Sequence, residues 1–153
     1  MQLPIVLQLM TLAGSEDDLL SAALYGLSYT FMARVSSELL RVFLPGDGIE
    51  SGSNPVLVFT DNAVDLRLSR RKNEPHGATV SRKCSCGRGR QVCVVHFIAL
   101  FMKLLPPGTQ PFVHLTAKKI TSELRRRLTL LGITDAENYS LHGFRRGGAQ
   151  DLA

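Results

Sequence analysis

The hydrophobic pattern divides the chain into three parts: an N-terminal helical region, a short strand region and a C-terminal helical region. Ser15 is followed by three acidic residues and then by an almost wholly apolar stretch, Leu19 to Ala33. A capping residue with acids in the first turn and apolar positions beyond it predicts a buried helix that runs through Leu27. A second helix is expected from about Ala33 to Phe43, where Pro45 and the glycines after it end the pattern.

The period then changes to that of β-strands. Residues 56–59 are apolar, and residues 64–68 alternate between apolar and polar side chains. Turn residues at 73–77 separate these segments from a third strand-like run at 78–82. Three more helices are expected over about 92–104, over about 117–131 and from Ser140 onward. This order of elements predicts an α+β fold, mainly helical with a small three-stranded antiparallel sheet.

Length and composition fit one folded domain. The chain has 153 residues, 44% of them hydrophobic, which is enough for a buried core and too apolar for a disordered tail. We expect residues 1–13 to be a leftover apolar segment and residues 14–153 to form the domain. No apolar run reaches the roughly 18 to 20 residues that span a bilayer, so no membrane partner is expected. The three cysteines do not form a secreted disulfide framework, which favours the nucleus or another intracellular compartment over secretion.

Basic residues are concentrated in the second half of the chain. Residues 1–66 hold two basic and eight acidic residues, whereas residues 67–153 hold sixteen basic and five acidic ones. Arginines outnumber lysines 13 to 5, and their planar guanidinium groups suit bidentate contacts to phosphate. This charge alone fits a solvated surface and a polyanionic partner, most simply nucleic acid, equally well. The candidate DNA-binding residues are Arg70, Arg71, Arg82, Lys83 and Arg146.

Two single residues before the middle of the chain are candidates for chemistry. Arg34 lies in the most apolar region, where a guanidinium needs an anionic partner or a path to solvent. Glu38 and Arg41 are expected on the same helix face as Arg34. Lys72 lies at the end of a basic strand, beside a turn that could project its ammonium group towards a ligand. Taken alone, Arg34 is more often part of an ordinary Arg-Glu pair at a helix end, and Lys72 is more often a solubilising lysine beside a turn.

The segment that begins at Ser140 carries the strongest local signal. Ser140 is expected to cap a helix whose first turns place His142 and Arg145 on one face. A helix N-terminus offers free backbone N–H groups and a positive dipole to an anion. An imidazole and a guanidinium added there predict a phosphate site with one titratable member, although the His-x-x-Arg pattern is common by itself.

Taken together, these residues resemble the catalytic domain of tyrosine recombinases, the phage-integrase family, in their order along the chain: Arg34, then Lys72, then His142-x-x-Arg145. The likeness extends from about Leu19 to Ala153 and includes the predicted order of helices and strands. Its most specific parts are Arg-Arg-Lys-Asn-Glu-Pro-His-Gly around Lys72 and His-Gly-Phe-Arg-Arg-Gly-Gly-Ala from His142. The branch found in eukaryotic Crypton- or DIRS-type mobile elements is one candidate within the family.

The resemblance implies a chemistry that cuts and rejoins DNA through a 3′-phosphotyrosyl intermediate and needs no cofactor. Arg34 and Arg145 would hold the non-bridging oxygens of the scissile phosphate and stabilise the transition state. Lys72 would protonate the leaving 5′ oxygen, and His142 would act as a general acid–base. Family members work as assemblies of protomers on paired DNA sites, so a complete chain would have other recombinase protomers as partners.

The family pattern is not matched throughout. Arg34 and Glu38 are four residues apart, one more than is usual in the family. The family's second His/Trp position and its tyrosine nucleophile lie beyond His142-x-x-Arg145, whereas Tyr25, Tyr29 and Tyr139 all precede it. The family motif does not map onto Tyr139. We therefore expect an incomplete, C-terminally truncated or decayed copy that can hold a phosphate but, as given, is inactive and monomeric.

A cysteine and histidine cluster predicts a structural zinc site. Cys84 and Cys86 are followed by Cys93 and His96, and this set uses every cysteine of the chain. Thiolate and imidazole ligands suit tetrahedral zinc, and the last two residues share one helix face. The alternative is a set of small, partly buried thiols with a helix histidine. The zinc would pin the basic hairpin to the following helix.

Three functions therefore remain open: a tyrosine-recombinase catalytic fragment without its nucleophile, a non-catalytic DNA-binding module, or a zinc-stabilised basic domain for RNA or a protein. The first two require Arg34, Lys72, His142 and Arg145 to converge on one groove. In the third, the likeness to recombinases is accidental.

Overall fold

The computed structural model describes residues 3–11, 15–46, 54–60, 62–69, 76–84, 86 and 93–152. Within these residues the fold is mixed, with five α-helices and one three-stranded antiparallel sheet. The helices are α1 (Leu3–Thr11), α2 (Glu16–Phe31), α3 (Val94–Met102), α4 (Ala117–Leu130) and α5 (His142–Leu152). The strands are β1 (Val56–Phe59), β2 (Ala63–Leu68) and β3 (Ala78–Lys83). No helix of the described part is long and apolar enough to cross a membrane.

Helix α2 is the centre of the core. Its predicted cap is present. The Asp18 N–H donates to Ser15 Oγ and the Ser15 N–H donates to Asp18 Oδ2, and the donor–acceptor distance is 3.2 Å in each bond. Residues 21–29 are all buried, because α1, α3 and α5 pack around this helix. The helix continues four residues beyond the predicted end, to Phe31, and the next residue, Met32, caps it in a left-handed conformation with φ 51°.

The second predicted helix, from about Ala33 to Phe43, is wrong. Residues 35–38 form turns, Leu39–Arg41 forms a single 3₁₀ turn, and Phe43 makes a parallel bridge to Val56. The apolar spacing of this segment was misleading, because its residues are buried by tertiary packing rather than by a helix face. The Glu38 carboxylate instead accepts the Arg34 backbone N–H at 2.6 Å, a local bond that competes with helix geometry. Arg34, Glu38 and Arg41 therefore do not share one face of a regular helix.

The predicted sheet is confirmed. The strand order is β1-β2-β3, both pairs are antiparallel, and Leu66 of β2 lies opposite Leu57 of β1 and Val80 of β3. Strand β2 alternates as predicted, with Val64 and Leu66 fully buried between less buried neighbours. Strand β3 forms one edge of the sheet and is less buried than its partners.

The later helices form where the pattern predicts them, and the chain start is also helical. Helices α3 and α4 lie within the predicted ranges, and α5 begins two residues after Ser140. Residues 1–13, expected to be a leftover segment, include α1, which packs against α2 and buries Val6, Leu9 and Met10 in the common core. The apolar start is therefore core material.

Helices α2 and α5 approach each other closely. The ring of Tyr25 stacks on that of Phe144, with centroids 5.0 Å apart and planes 8° from parallel. One turn further along α5, Gly148 lies so near the end of α2 that a Cβ at this position would collide with the carbonyl oxygen of Tyr29. A glycine is therefore needed here, and it sets the spacing of the two helices.

A buried arginine joins α4 to the start of α2. Only 2% of the Arg127 surface is exposed, and its Nη2 donates to Asp18 Oδ1 at 2.5 Å. Its Nε donates to Glu123 Oε1 at 3.1 Å, and the guanidinium lies 5.8 Å from the centre of the Tyr25 ring. The two carboxylates compensate the buried charge, so the cost of desolvating Arg127 is offset.

Acid should weaken this junction, because Glu123 must stay ionised to hold it. Hydrogen bonds from Arg126 and then from Arg127 lower the pKa of Glu123 to about 2. A carboxylate whose pKa is lower in the folded chain stabilises the fold above its unfolded pKa and loses that effect as pH falls. Between about pH 5 and pH 2, the free energy of unfolding of Glu123→Gln should therefore fall less than that of the wild type. Urea titrations measure this, and Glu137→Gln, at an exposed carboxylate, is the matched control. An unchanged acid profile in Glu123→Gln would contradict the role given to Glu123.

The close approach at Gly148 predicts that even a methyl side chain at this position destabilises the fold. Gly148→Ala should lower the free energy of unfolding by about 1–3 kcal/mol, because its methyl group meets the Tyr29 backbone. The opposite effect, about 1 kcal/mol of stabilisation, would be expected from helix propensity alone. Gln150→Ala, at an exposed position of the same helix, should change stability little. A stabilised Gly148→Ala protein would show that the two helices can move apart freely.

Candidate nucleic-acid interface and metal cluster

The C-terminal end of α2 is where the chain segments that bear two of the candidate residues meet. Gly148 of α5 contacts this end at Tyr29, and its position also borders the Met32 side chain. Arg145 lies one turn before Gly148 on α5, and Arg34 lies two residues after Met32. The two arginines therefore belong to the two chain segments that touch at Gly148.

Arg34 follows the left-handed turn that ends α2. Its side chain is exposed, while its backbone N–H is held by the buried Glu38 carboxylate. The Arg34 carbonyl also accepts hydrogen bonds from the N–H groups of Glu38 and Leu39, and the donor–acceptor distance is 3.0 Å in each. These three hydrogen bonds fix the Arg34 backbone in a defined turn, and the exposed guanidinium extends from this turn.

The first turns of α5 carry the His-x-x-Arg pair as predicted. His142 begins the helix and is exposed, Arg145 is half-buried, and Arg146 is exposed. The Gly143 N–H donates to the Ser140 carbonyl at 3.0 Å, which tightens the helix start. Three-residue spacing on a helix places His142 and Arg145 on one face.

Arg82 proves to be a tether between β3 and α2. Its Nε donates to the Thr30 carbonyl at 2.8 Å, its Nη1 donates to the Ser81 carbonyl at 2.9 Å, and its guanidinium lies 5.9 Å from the centre of the Phe31 ring. The carbonyl end of a helix favours a cation. Arg82 supplies one to α2, which has no basic residue in its own last turn. The half-buried Arg82 thus holds the sheet against α2, while its neighbour Lys83 is exposed.

Three of the predicted residues cannot be assigned a position. Lys72, Arg70 and Arg71 lie outside the described residues. Their expected roles as leaving-group acid and as DNA contacts stay predictions.

A basic surface on α4 was missed in the sequence. Its exposed members are Lys118, Lys119, Arg125 and Arg126. A shallow open cavity of about 440 Å³ lies along it, lined in part by Thr116 and Ser122. The signal was the run of three arginines at 125–127, about two helical turns after the two lysines at 118 and 119. That signal is ambiguous, because Arg127 of the same run is buried.

The four residues of the predicted zinc site come together. Their ligand atoms, three Sγ and one imidazole nitrogen, all lie within 4.8 Å of one another. Cys84 directly follows β3, Cys86 is two residues further, Cys93 precedes α3, and His96 lies in the first turn of α3. The cluster thus joins the end of the sheet to the start of a helix.

The distances in this cluster are near those of a tetrahedral zinc site. Zinc–sulfur bonds of about 2.3 Å place two sulfurs about 3.8 Å apart, and a sulfur and a nitrogen about 3.6 Å apart. The Cys84 and Cys93 sulfurs are 3.8 Å apart, and His96 Nδ1 lies 3.3 Å from Cys84 Sγ and 2.8 Å from Cys86 Sγ. The separation of Cys86 Sγ and His96 Nδ1 is about 0.8 Å shorter than in such a site, and the largest separation in the cluster, 4.8 Å, is longer, so small side-chain shifts would accompany metal binding. The residues therefore fit a four-coordinate metal through His96 Nδ1.

The cluster also has features that support thiolate ligands. The Cys86 N–H donates to Cys84 Sγ at 3.3 Å, the kind of secondary contact that orients a metal-bound sulfur. Without a metal, the hydrogen bond with Cys84, together with partial desolvation by the neighbouring thiols, raises the pKa of the Cys86 thiol to about 12. The Cys86 thiol therefore holds its proton until a cation compensates the negative charge.

Two of the three tyrosines, Tyr25 and Tyr29, are buried and therefore poorly placed to attack a DNA strand. Tyr25 is fully buried and its hydroxyl donates to the Ile120 carbonyl at 3.4 Å. Burial raises the pKa of this hydroxyl above its ordinary value. Tyr29 is 7% exposed with a buried hydroxyl, and Tyr139 is half-buried, with a carbonyl that accepts from Arg125.

None of the protein-family models matches the chain, and no curated protein or solved structure shows significant similarity to it.

Proposed function

We propose that the chain binds the phosphate backbone of double-stranded DNA as part of a tyrosine-recombinase catalytic domain. The observation that carries this proposal is the contact between α5 and the end of α2 at Gly148. This contact joins the segment that bears Arg145 to the segment that bears Arg34. The resemblance in sequence assigns to these two residues the two oxygens of one phosphate.

The chemistry of the surface suits a phosphate. Two guanidinium groups supply fixed charge and paired donors, and the start of α5 adds the positive end of a helix dipole. His142, exposed at that helix start, is the titratable member that would move a proton. In the reaction that the resemblance implies, a tyrosine other than the three of this chain would attack the phosphorus, Arg34 and Arg145 would stabilise the charge that develops on the phosphate, and Lys72 would protonate the leaving 5′ oxygen.

The attacking group is not proposed among the tyrosines of this chain. Tyr25 and Tyr29 are buried, and the family motif does not map onto Tyr139. The proposal therefore covers binding and orientation of the phosphate.

The wider charge distribution supports a long polyanion over a small phosphate ligand. Sixteen basic residues lie after residue 66, and four of them form the exposed surface of α4. A nucleic acid backbone can contact several such groups at once, which a single phosphate cannot. A DNA partner would place the chain in the nucleus or another DNA-containing compartment, with recombinase protomers on paired sites as protein partners.

Removing either guanidinium should weaken DNA binding in a way that salt reveals. Arg34→Ala and Arg145→Ala should each lower the affinity for a short mixed-sequence duplex about tenfold. Each should also reduce the slope of log Kd against log salt concentration by about 1, because one phosphate contact is lost. Fluorescence anisotropy over a series of salt concentrations measures both quantities.

Two further variants sharpen that experiment. Arg41→Ala removes an exposed arginine just beyond the Arg34 turn and should leave affinity and slope near those of the wild type. Arg34→Lys keeps the charge but loses the planar fork, so it should fall between Arg34→Ala and the wild type. Equal affinities for wild type, Arg34→Ala and Arg145→Ala would place DNA binding elsewhere on the chain.

A second proposed function is the binding of a structural zinc ion, favoured by the geometry of the Cys/His cluster. Cys84, Cys86, Cys93 and His96 would be its ligands, and the ion would stabilise the junction of β3 and α3. Zinc binding would also fit a zinc-stabilised, non-catalytic DNA-binding module, which needs no recombinase chemistry.

Replacing the histidine ligand should abolish tight zinc binding. His96→Ala should weaken zinc affinity by more than about 100-fold, because three ligands remain of four. Competition with a chromophoric chelator measures the affinity, and the thiolate charge-transfer absorption of the Co²⁺ form reports the ligands. His114→Ala, at an exposed histidine outside the cluster, is the control and should bind like the wild type. Equal zinc affinities in the two variants would rule out this ligand set.

A further inference from the structure

Strand β3 is fixed at two neighbouring points that lead to different parts of the fold. Arg82 ties the strand to the last turn of α2 through the Thr30 carbonyl and the Phe31 ring. Two residues later, Cys84 belongs to the Cys/His cluster. The Cys84 N–H also donates to the Asn62 carbonyl at 2.7 Å, which extends the pairing of β3 with β2 to the residue that bears the ligand.

The other side of the cluster leads back to the same helix. Cys93 and His96 belong to the start of α3, and α3 packs against α2. At this packing contact Val94 lies beside Gly26, where an added Cβ would come within 3.1 Å of the valine side chain. Contacts therefore run in a closed ring, from α2 through Arg82 and β3 to the cluster, and through α3 back to α2.

We propose that metal binding at the Cys/His cluster and DNA binding at the end of α2 are positively coupled, with Arg82 as the link. This inference rests on the proposed function. A bound ion replaces weak thiol contacts by bonds between β3 and α3, and so holds Arg82 against the carbonyl end of α2. The same turn leads into Arg34, so the metal favours the arrangement in which Arg34 is presented for phosphate. Arg82 is a positioning residue in this scheme.

Coupling of this kind has a quantitative signature. If the metal raises the affinity for DNA by some factor, DNA must raise the affinity for the metal by the same factor. Couplings between sites in one domain commonly amount to at least about fivefold. We expect a factor of this size in the wild type and a factor near unity when Arg82 is removed.

The experiment measures the factor in both directions. The affinity for a short mixed-sequence DNA duplex is determined with the Zn²⁺-loaded protein and after removal of metal by a chelator. The affinity for Zn²⁺ is then determined with and without saturating duplex. Circular dichroism records whether the metal-free chain keeps its helices. Arg82→Ala should lower the coupling factor to near unity while it still binds Zn²⁺.

Two matched variants separate the link from simpler causes. Val80→Ala, two residues before Arg82 on the same strand, loses core packing without touching the tether. If metal and DNA were coupled only because both bind the folded state, any destabilising change would increase the coupling factor. Arg82→Ala and Val80→Ala would then both raise it. With Arg82 as the link, Arg82→Ala lowers it and Val80→Ala does not. Arg125→Ala, on the α4 surface, should weaken DNA binding equally with and without metal.

The outcomes also separate this inference from the proposed function. A coupling factor of unity in the wild type, with DNA bound tightly by the loaded protein, overturns the coupling and leaves DNA binding intact. The coupling by way of Arg82 is likewise overturned if Arg82→Ala keeps the wild-type factor. If the loaded wild type fails to bind the duplex even at low salt, the proposed function fails and the coupling fails with it.

Discussion

The structure depends above all on how closely α5 approaches the end of α2. Gly148 has no side chain where one would meet the Tyr29 carbonyl, and the stacked rings of Tyr25 and Phe144 fill the space one turn before. This approach joins the segments that carry Arg34 and Arg145. The spacing of one helix pair therefore shapes the core and also sets how near these two segments come to each other.

Arginine serves two distinct purposes in this protein. The buried Arg127 and the half-buried Arg82 secure the two ends of α2, one at the Asp18 carboxylate and the other at the Thr30 carbonyl. The Asp18 carboxylate at the start of α2 and the Arg82 guanidinium at its end both complement the helix dipole, whereas Arg127 is held at the start by its carboxylate partners. The exposed arginines are the candidates for the proposed contacts to phosphate. A high arginine content therefore does not by itself indicate a binding surface, because buried and exposed arginines differ only in their tertiary contacts.

Only part of the candidate site could be predicted from the sequence, because some of its residues are close in the chain and others are brought near each other by folding. The cluster of Cys84, Cys86, Cys93 and His96 could be recognised because its members lie within thirteen residues and their spacing is local. Arg34 and His142-x-x-Arg145 could be listed, but their common neighbourhood depends on helix packing across the whole chain. The second predicted helix failed because Glu38 bonds to the Arg34 backbone and the apolar residues are buried by other elements.

By itself, the sequence determined the capped start of α2, the three strands, the later helices and the metal-type cluster, because caps, alternation and ligand spacing act over a few residues. The tertiary structure alone decided that the apolar start belongs to the core, that Arg82 is a tether and that Arg127 is buried while Arg125 and Arg126 are exposed. Those outcomes depend on partners 52 and 109 residues away, Thr30 for Arg82 and Asp18 for Arg127. No local pattern contains such distances, and only the packing of helices and sheet supplies them.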